Sequence, residues 1–208
     1  MPELSLTDLV DIVSKSGTPK ATKVAQVKAR PDYEPAFDFY KSLRDRIVEI
    51  HRAGDPRSTL NMFMAGVTDV KKRKNYPSAV SGYKKWWGQK TLSWFAPARA
   101  TYSQHGVDVI VNPELGLDIN GTRHLVKLYF KDDSLSRLRI DIITRLMEDR
   151  LRPRCQQNEV MAVLDVRNAK LFTFREAASA TIAMIDAELA YIASLWPHCL
   201  PSERLGGT

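Results

Sequence analysis

The chain has 208 residues, 26% of them charged and 44% hydrophobic, with a net charge of +7 and two cysteines. It is long enough to bury a full core, as one large domain or a domain with an appendage, and its composition is ordinary for a soluble globular protein. Its apolar runs fall far short of the ~18–20 residues that span a bilayer, no basic-then-apolar leader opens it, and Cys155 and Cys199 form neither a CxxC pair nor a disulfide framework; a cytoplasmic protein with no membrane partner is expected.

Residues 1–33 read as an N-terminal helix followed by a basic linker. The helix is expected over residues 5–15, starting at Ser5 or Thr7 and ending at Gly17, with Leu9, Val10 and Val13 apolar. Residues 18–32 are polar and basic and contain Pro19 and Pro31, which suits a loop or a second short helix. Residues 34–75 form a helical part packed on the core. Glu34-Pro35 opens its first helix, because proline is tolerated in a first turn. Phe39, Tyr40, Leu43, Ile47 and Ile50 then repeat at helical spacing, with Gly54 as the stop. A further helix is predicted over residues 58–72, through Leu60, Phe63, Met64 and Val67.

Residues 76–200 read as an α/β core. Pro77 permits one more short helix through Val80, Tyr83 and Trp87, and after Gly88 the pattern turns to strands. Residues 92–102 suggest a strand interrupted by Pro97, and residues 107–131 a hairpin. A helix capped by Ser134 follows, with Leu135, Leu138, Ile142 and Leu146 inward. Residues 160–166 suit a buried strand, and residues 170–174 return from it through Asn168-Ala169. The last helix, about 175–196, carries Ile182, Ile185, Leu189, Ile192 and Trp196 on one stripe, and Pro197 stops it. Residues 201–208 read as a disordered tail. The expected class is α/β (α+β), a mixed β-sheet with a central hairpin flanked by helices.

The positive charge is regional. Between Asp69 and Asp108 there is no acidic residue, while Lys71, Lys72, Arg73, Lys74, Lys84, Lys85, Lys90 and Arg99 stand there. Removing those eight from the 31 Lys and Arg leaves 23 against 24 Asp and Glu, so the rest of the chain is essentially neutral. Such a patch is the footprint of a polyanion partner, and nucleic acid, DNA rather than RNA, is expected at Lys71, Lys72, Arg73, Lys74, Lys84, Lys85, Trp86 and Lys90. Tyr76, Tyr83, Trp86, Trp87 and Trp94 lie among these cations, either to stack on unpaired bases or to fill the core.

Asn120-Gly121 is the strongest hairpin signal, a pair that accepts the positive φ angles of a type I′ turn. That turn sets Ile119 opposite Thr122 and Glu114 opposite Lys127. One face then carries Val109, Val111, Leu115 and Leu117 against Val126, Leu128 and Phe130; the other carries Asp108, Asn112, Glu114 and Asp118 against Arg123, Lys127 and Tyr129. At ~3.3 Å per residue, Asp108 and Glu114 lie about 20 Å apart on a regular strand, too far to share a metal. Asn112, Glu114, Lys127 and Tyr129 alone make one compact polar cluster, and a metal site there needs a second carboxylate from elsewhere, such as Asp165. Pro113 suits an edge or a bulge, which would re-aim Glu114. An ordinary cross-strand ion pair, worth about 0.2–1 kcal/mol, would look the same in sequence.

The helix–strand–strand–strand–helix–strand order over about residues 76–166 resembles the core of the restriction-endonuclease-like, or PD-(D/E)XK, superfamily. In that family an acid on the second strand and an acid-x-lysine on the third bind a divalent metal and orient the attacking water. Gly106-Val107-Asp108-Val109 is similar to the segment with the first acid, and Leu125-Val126-Lys127 stands at the triplet, with the lysine in place and Leu125 where the acid belongs. The resemblance implies a nuclease-like core with an N-terminal helical part, and, in an active member, Mg²⁺-dependent phosphodiester hydrolysis. Glu114, Lys127 and Asp108 would then be catalytic: Glu114 with Asp108 or Asp165 would hold the metal, and Lys127 would stabilise charge or position water. Leu125 makes a non-catalytic DNA- or RNA-binding or regulatory module, with no cofactor, the alternative. A third class is a protein-interaction domain, taking a partner or a second copy through the apolar stripe of the last helix.

Residues 6–28 also admit a helix-turn-helix reading, in which a second helix offers Lys20, Thr22, Lys23, Gln26 and Lys28 to DNA. Other chemistries lack local support. Gly82 to Thr91 is not a phosphate loop, since Gln89 breaks the Gly-Lys pair, and GxGxxG, HExxH and GxSxG do not occur. His51, His105, His124 and His198 lack zinc spacing.

Overall fold

The protein is described by a computed structural model over residues 1–30, 38–133, 135–176 and 180–199. Among these residues the chain is α+β, with seven α-helices and two mixed sheets. It opens on β1 (Glu3–Ser5), α1 (Leu6–Val13) and α2 (Gly17–Lys28). Ser5 caps α1: its hydroxyl accepts the Asp8 N–H at 3.1 Å, and the Asp8 carboxylate accepts the Ser5 N–H at 3.3 Å. Residues 18–32, expected as loop or helix, are helical as far as Lys28. β1 pairs in parallel with a later strand, so the N-terminal segment is built into the core rather than appended to it.

Three helices follow, α3 (Lys41–Ala53), α4 (Thr59–Ala65) and α5 (Val70–Trp87). The Glu34-Pro35 start predicted for the first lies outside the described residues; α3 begins at Lys41 and ends on Gly54 at φ 73°. The helix predicted over 58–72 stops at Ala65. Asp69 then caps a new 18-residue helix, accepting the Lys72 N–H at 2.8 Å, and this helix runs straight through Pro77. Pro77 and Arg73 are both exposed, so the Arg73 carbonyl that proline leaves unbonded can meet water.

The strands are β2 (Leu92–Phe95), β3 (Ala100–Gln104), β4 (Val107–Val111), β5 (Leu115–Ile119) and β6 (Thr122–Tyr129). After α6 (Arg137–Leu151) come β7 (Val160–Asp165), β8 (Lys170–Thr173) and α7 (Ala180–Leu195). Five strands form one sheet in the order β2-β5-β6-β7-β8, with only β6 and β7 parallel, and α6 makes the crossover between them. β1, β4 and β3 form the second sheet. The single strand expected over 92–102 is therefore two strands, in different sheets.

The hairpin has the expected register. Ile119 pairs with Thr122 and Leu115 with Val126, and Asn120 and Gly121 take φ of 53° and 88°. Its extension back to residue 107 is corrected: the chain leaves the five-stranded sheet at Asn112-Pro113, where proline has no N–H to pair, and β4 joins β1 and β3. Val109 and Val111 thus belong to a different core from Leu115 and Leu117. Both faces of the large sheet are covered. Leu117, Val126 and Leu164 meet Leu43, Ile47 and Tyr83 of α3 and α5. Leu125, Tyr129 and Val163 meet Leu9 of α1, Ile142 and Leu146 of α6, and Leu189 of α7.

Three further expectations change. Ser136, not Ser134, caps α6, and Ser134 lies outside the described residues. Leu138 is 38% exposed, while Ile140, Ile143 and Met147 point inward. Residues 201–208 also lie outside the described residues. No helix among the described residues is long and apolar enough to cross a membrane.

Candidate functional site

Lys127 and Glu114 meet where the chain changes sheets. The Lys127 ammonium donates to Glu114 Oε1 at 2.6 Å, to the Asn112 carbonyl at 3.2 Å and to Asn112 Oδ1 at 3.3 Å. Glu114 Oε2 accepts the Leu128 backbone N–H at 2.7 Å, so the carboxylate continues the ladder where the β5 backbone has departed. Lys127 is only 6% exposed. An ammonium has three donors, and here each has an oxygen within reach. Asn112 was legible as part of this cluster. Tyr129 is not part of it: its hydroxyl donates to Asp133 at 3.1 Å and accepts from Arg139 at 2.6 Å.

The other predicted acids do not converge on this pair. Asp108 lies on β4, in the smaller sheet, and accepts the Ser103 hydroxyl at 2.5 Å. Asp165 is buried and closes the turn into β8, accepting the Asn168 N–H at 3.1 Å and the Asn168 side-chain amide at 2.9 Å. Among the described residues no three His, Cys, Asp or Glu side chains form a group able to hold a metal ion. Mg²⁺ needs oxygens at about 2.0–2.1 Å. Both Glu114 oxygens are already bonded within the protein, and Leu125, in the position of the missing acid, is fully buried in the core. Glu114, Asp108 and Asp165, the predicted metal ligands, are each bonded to other groups of the protein and do not together form a metal-binding group.

The basic segment divides by helix face. Lys71, Arg73, Lys74 and Lys85 are exposed, while Lys72, Lys84 and Lys90 are half-buried. Lys84 donates to Asn61 Oδ1 at 2.8 Å, and Lys90 donates to the Trp86 carbonyl. The side chains of Lys71, Lys72, Arg73 and Lys74 have no ion-pair partner among the described residues. Trp86 is corrected from a base-contacting residue to a core residue: it is 3% exposed and packs beside Tyr83, with ring centroids 5.3 Å apart. Trp87 stacks on His51 at 4.5 Å, and Arg52 covers Trp94 at 5.2 Å. His51 shares a 2.5 Å hydrogen bond with the Tyr83 hydroxyl, and burial pushes its pKa down to about 4.

The basic side chains of α2 are tied into the fold. Lys20 pairs with Glu188 at 2.7 Å, Lys23 with Asp11 at 3.5 Å, and Lys28 donates to the Trp196 carbonyl at 2.8 Å. Lys131 joins the same buried Asp11. No local pattern marks this cluster, because its members come from α1, α2 and the segment after β6. Of the apolar stripe of α7, Ile185, Leu189 and Ile192 are buried in the chain's own core, and Ile182 and Trp196 are partly buried against it.

Comparison with protein-family models, with curated proteins and with solved structures finds no match for this chain.

Proposed function

We propose that this protein is a non-catalytic DNA-binding module built on a nuclease-like core. The observation that carries the reading is the start of α5, where Lys71, Lys72 and Arg73 of the first turn and Lys74 just after it stand together without ion-pair partners among the described residues. A helix N-terminus carries about +0.5 charge, so each cation there costs roughly 0.3–1 kcal/mol rather than helping the helix. The Asp69 carboxylate caps the helix, yet four cations still crowd against its dipole, and that points to an anionic partner. The absence of any acidic residue between Asp69 and Asp108 supports the same reading. The saturated Glu114–Lys127 pair and the apolar Leu125 support the non-catalytic part of the reading.

Fluorescence anisotropy with a labelled duplex of about 20 base pairs tests this. Binding is expected to fall linearly with log salt, and Lys71→Ala with Lys74→Ala should flatten the slope by about two units. The duplex should stay intact in Mg²⁺ or Mn²⁺. No association at low salt would end the DNA reading; cleavage lost on Glu114→Gln would overturn the non-catalytic one.

A further inference from the structure

We infer that α5 lies lengthwise along double-stranded DNA and holds it by the phosphate backbone alone, through the stripe Lys71, Lys74, Ser78, Ser81 and Lys85. This rests on the DNA-binding reading above and goes beyond it, to the form of nucleic acid and the mode of contact. At 3.6 residues per turn these five positions fall within an arc of about 80°. All five are exposed, and α5 contains no acidic residue. From Lys71 to Lys85 the stripe covers about 21 Å at 1.5 Å per residue, or roughly six base-pair steps of 3.4 Å. Between its lysines stand only two serines, so nothing bulky keeps a cylinder of phosphate off the helix surface. The Ser81 hydroxyl is a short donor of the kind that contacts phosphate oxygens, while Ser78 donates its own to the Asn75 carbonyl at 3.0 Å and adds only a small, uncharged surface.

The helix cannot roll to offer another face. Its inner side buries Tyr76, Ala79, Val80, Tyr83 and Trp86. At Gly82 a Cβ would lie 2.1 Å from the Val166 carbonyl oxygen, so backbone meets backbone and the stripe is locked outward. That orientation decides between duplex and single strand. Sequence-tolerant binding of single strands uses exposed aromatic rings as stacking platforms, worth about 1–3 kcal/mol per base. On α5 the aromatics face the core, and Trp87 is occupied by His51. A duplex needs only neutralised phosphates. The stripe also lacks the Arg, Asn or Gln that would read base edges; nearby Asn75 spends its side-chain amide on the Lys71 carbonyl at 2.8 Å.

The test is competition against a labelled duplex, using an unlabelled duplex of unrelated sequence and a single strand of equal length. The unrelated duplex should compete within about twofold, and the single strand at least about tenfold worse. Ser78→Glu with Ser81→Glu should weaken binding by about tenfold or more, while Gln157→Glu with Asn158→Glu, which places the same charge change on the exposed turn before β7, should cost far less. Circular dichroism checks that both variants keep their helices. A single strand that competes as well as duplex, a strong preference for one sequence, or equal damage from both glutamate pairs would overturn the inference and leave DNA binding standing. If no nucleic acid binds the unmodified protein, the broader reading falls first and takes this one with it.

Discussion

An ion buried in protein costs several kcal/mol of lost hydration, which only complete bonding offsets. Lys127 and Glu114 meet that condition through Asn112 and the Leu128 N–H, and they do so at the point where the chain passes between sheets. Lys127→Met leaves the half-buried Glu114 carboxylate without its cation, and should cost about 3–5 kcal/mol in urea unfolding. Glu114→Gln should cost a similar amount, because it leaves the more deeply buried Lys127 ammonium without its anion and turns an amide NH2 toward either that ammonium or the Leu128 N–H. A loss below about 1 kcal/mol from either variant would argue against a charge-driven clamp. His51 acts by the opposite rule, since it is held neutral. Its folded pKa of about 4 lies below the ordinary 6.5, so the unfolded chain takes up its proton first as pH falls. Its contribution is complete above pH 6.5 and is lost progressively down to pH 4, a swing of about 3 kcal/mol. Unfolding midpoints measured across that window should show the swing, and His51→Gln should remove much of it.

At the scale of elements, α5 is fixed by its contact with the end of β7. Gly82→Ala would drive a methyl into the Val166 and Arg167 carbonyls at 2.1 and 2.6 Å, both backbone atoms that cannot swing aside. The helix must lift, at a cost of about 1–3 kcal/mol, and calorimetry should show a melting point several degrees lower. How far such elements can be read from sequence depends on how local their cause is. The turn at Asn120-Gly121 and the stop at Gly54 are each set by one or two residues, and both are where the sequence puts them. The Glu114–Lys127 contact was legible because that turn alone dictates it. The exit of β4 to another sheet was not. Val107, Val109, Val111, Leu115 and Leu117 keep one period-two phase across Pro113, and alternation cannot tell which sheet a strand joins. β1 is too short to show any alternation. Trp86 was misplaced because helical spacing pairs Tyr83 equally with a residue three or four positions on, and the core took Trp86 while leaving Trp87 half-buried.

For the molecule as a whole, the uneven charge sets stability against binding. With the acid-free segment set aside the chain is essentially neutral, so any general repulsion in the free protein is concentrated at α5, where the helix dipole adds to it. If those cations served the fold, replacing them would weaken it. If they serve a polyanion, replacement should do the reverse. Lys71→Glu with Lys72→Glu puts carboxylates in the first turn, where they complement the dipole, and should stabilise the free protein by about 1–2 kcal/mol. The same variant should lose DNA binding, and added duplex, which raises the melting point of the unmodified protein by mass action, should no longer raise it. A melting point that drops on this double change, with the response to duplex intact, would assign Lys71 and Lys72 to the architecture instead.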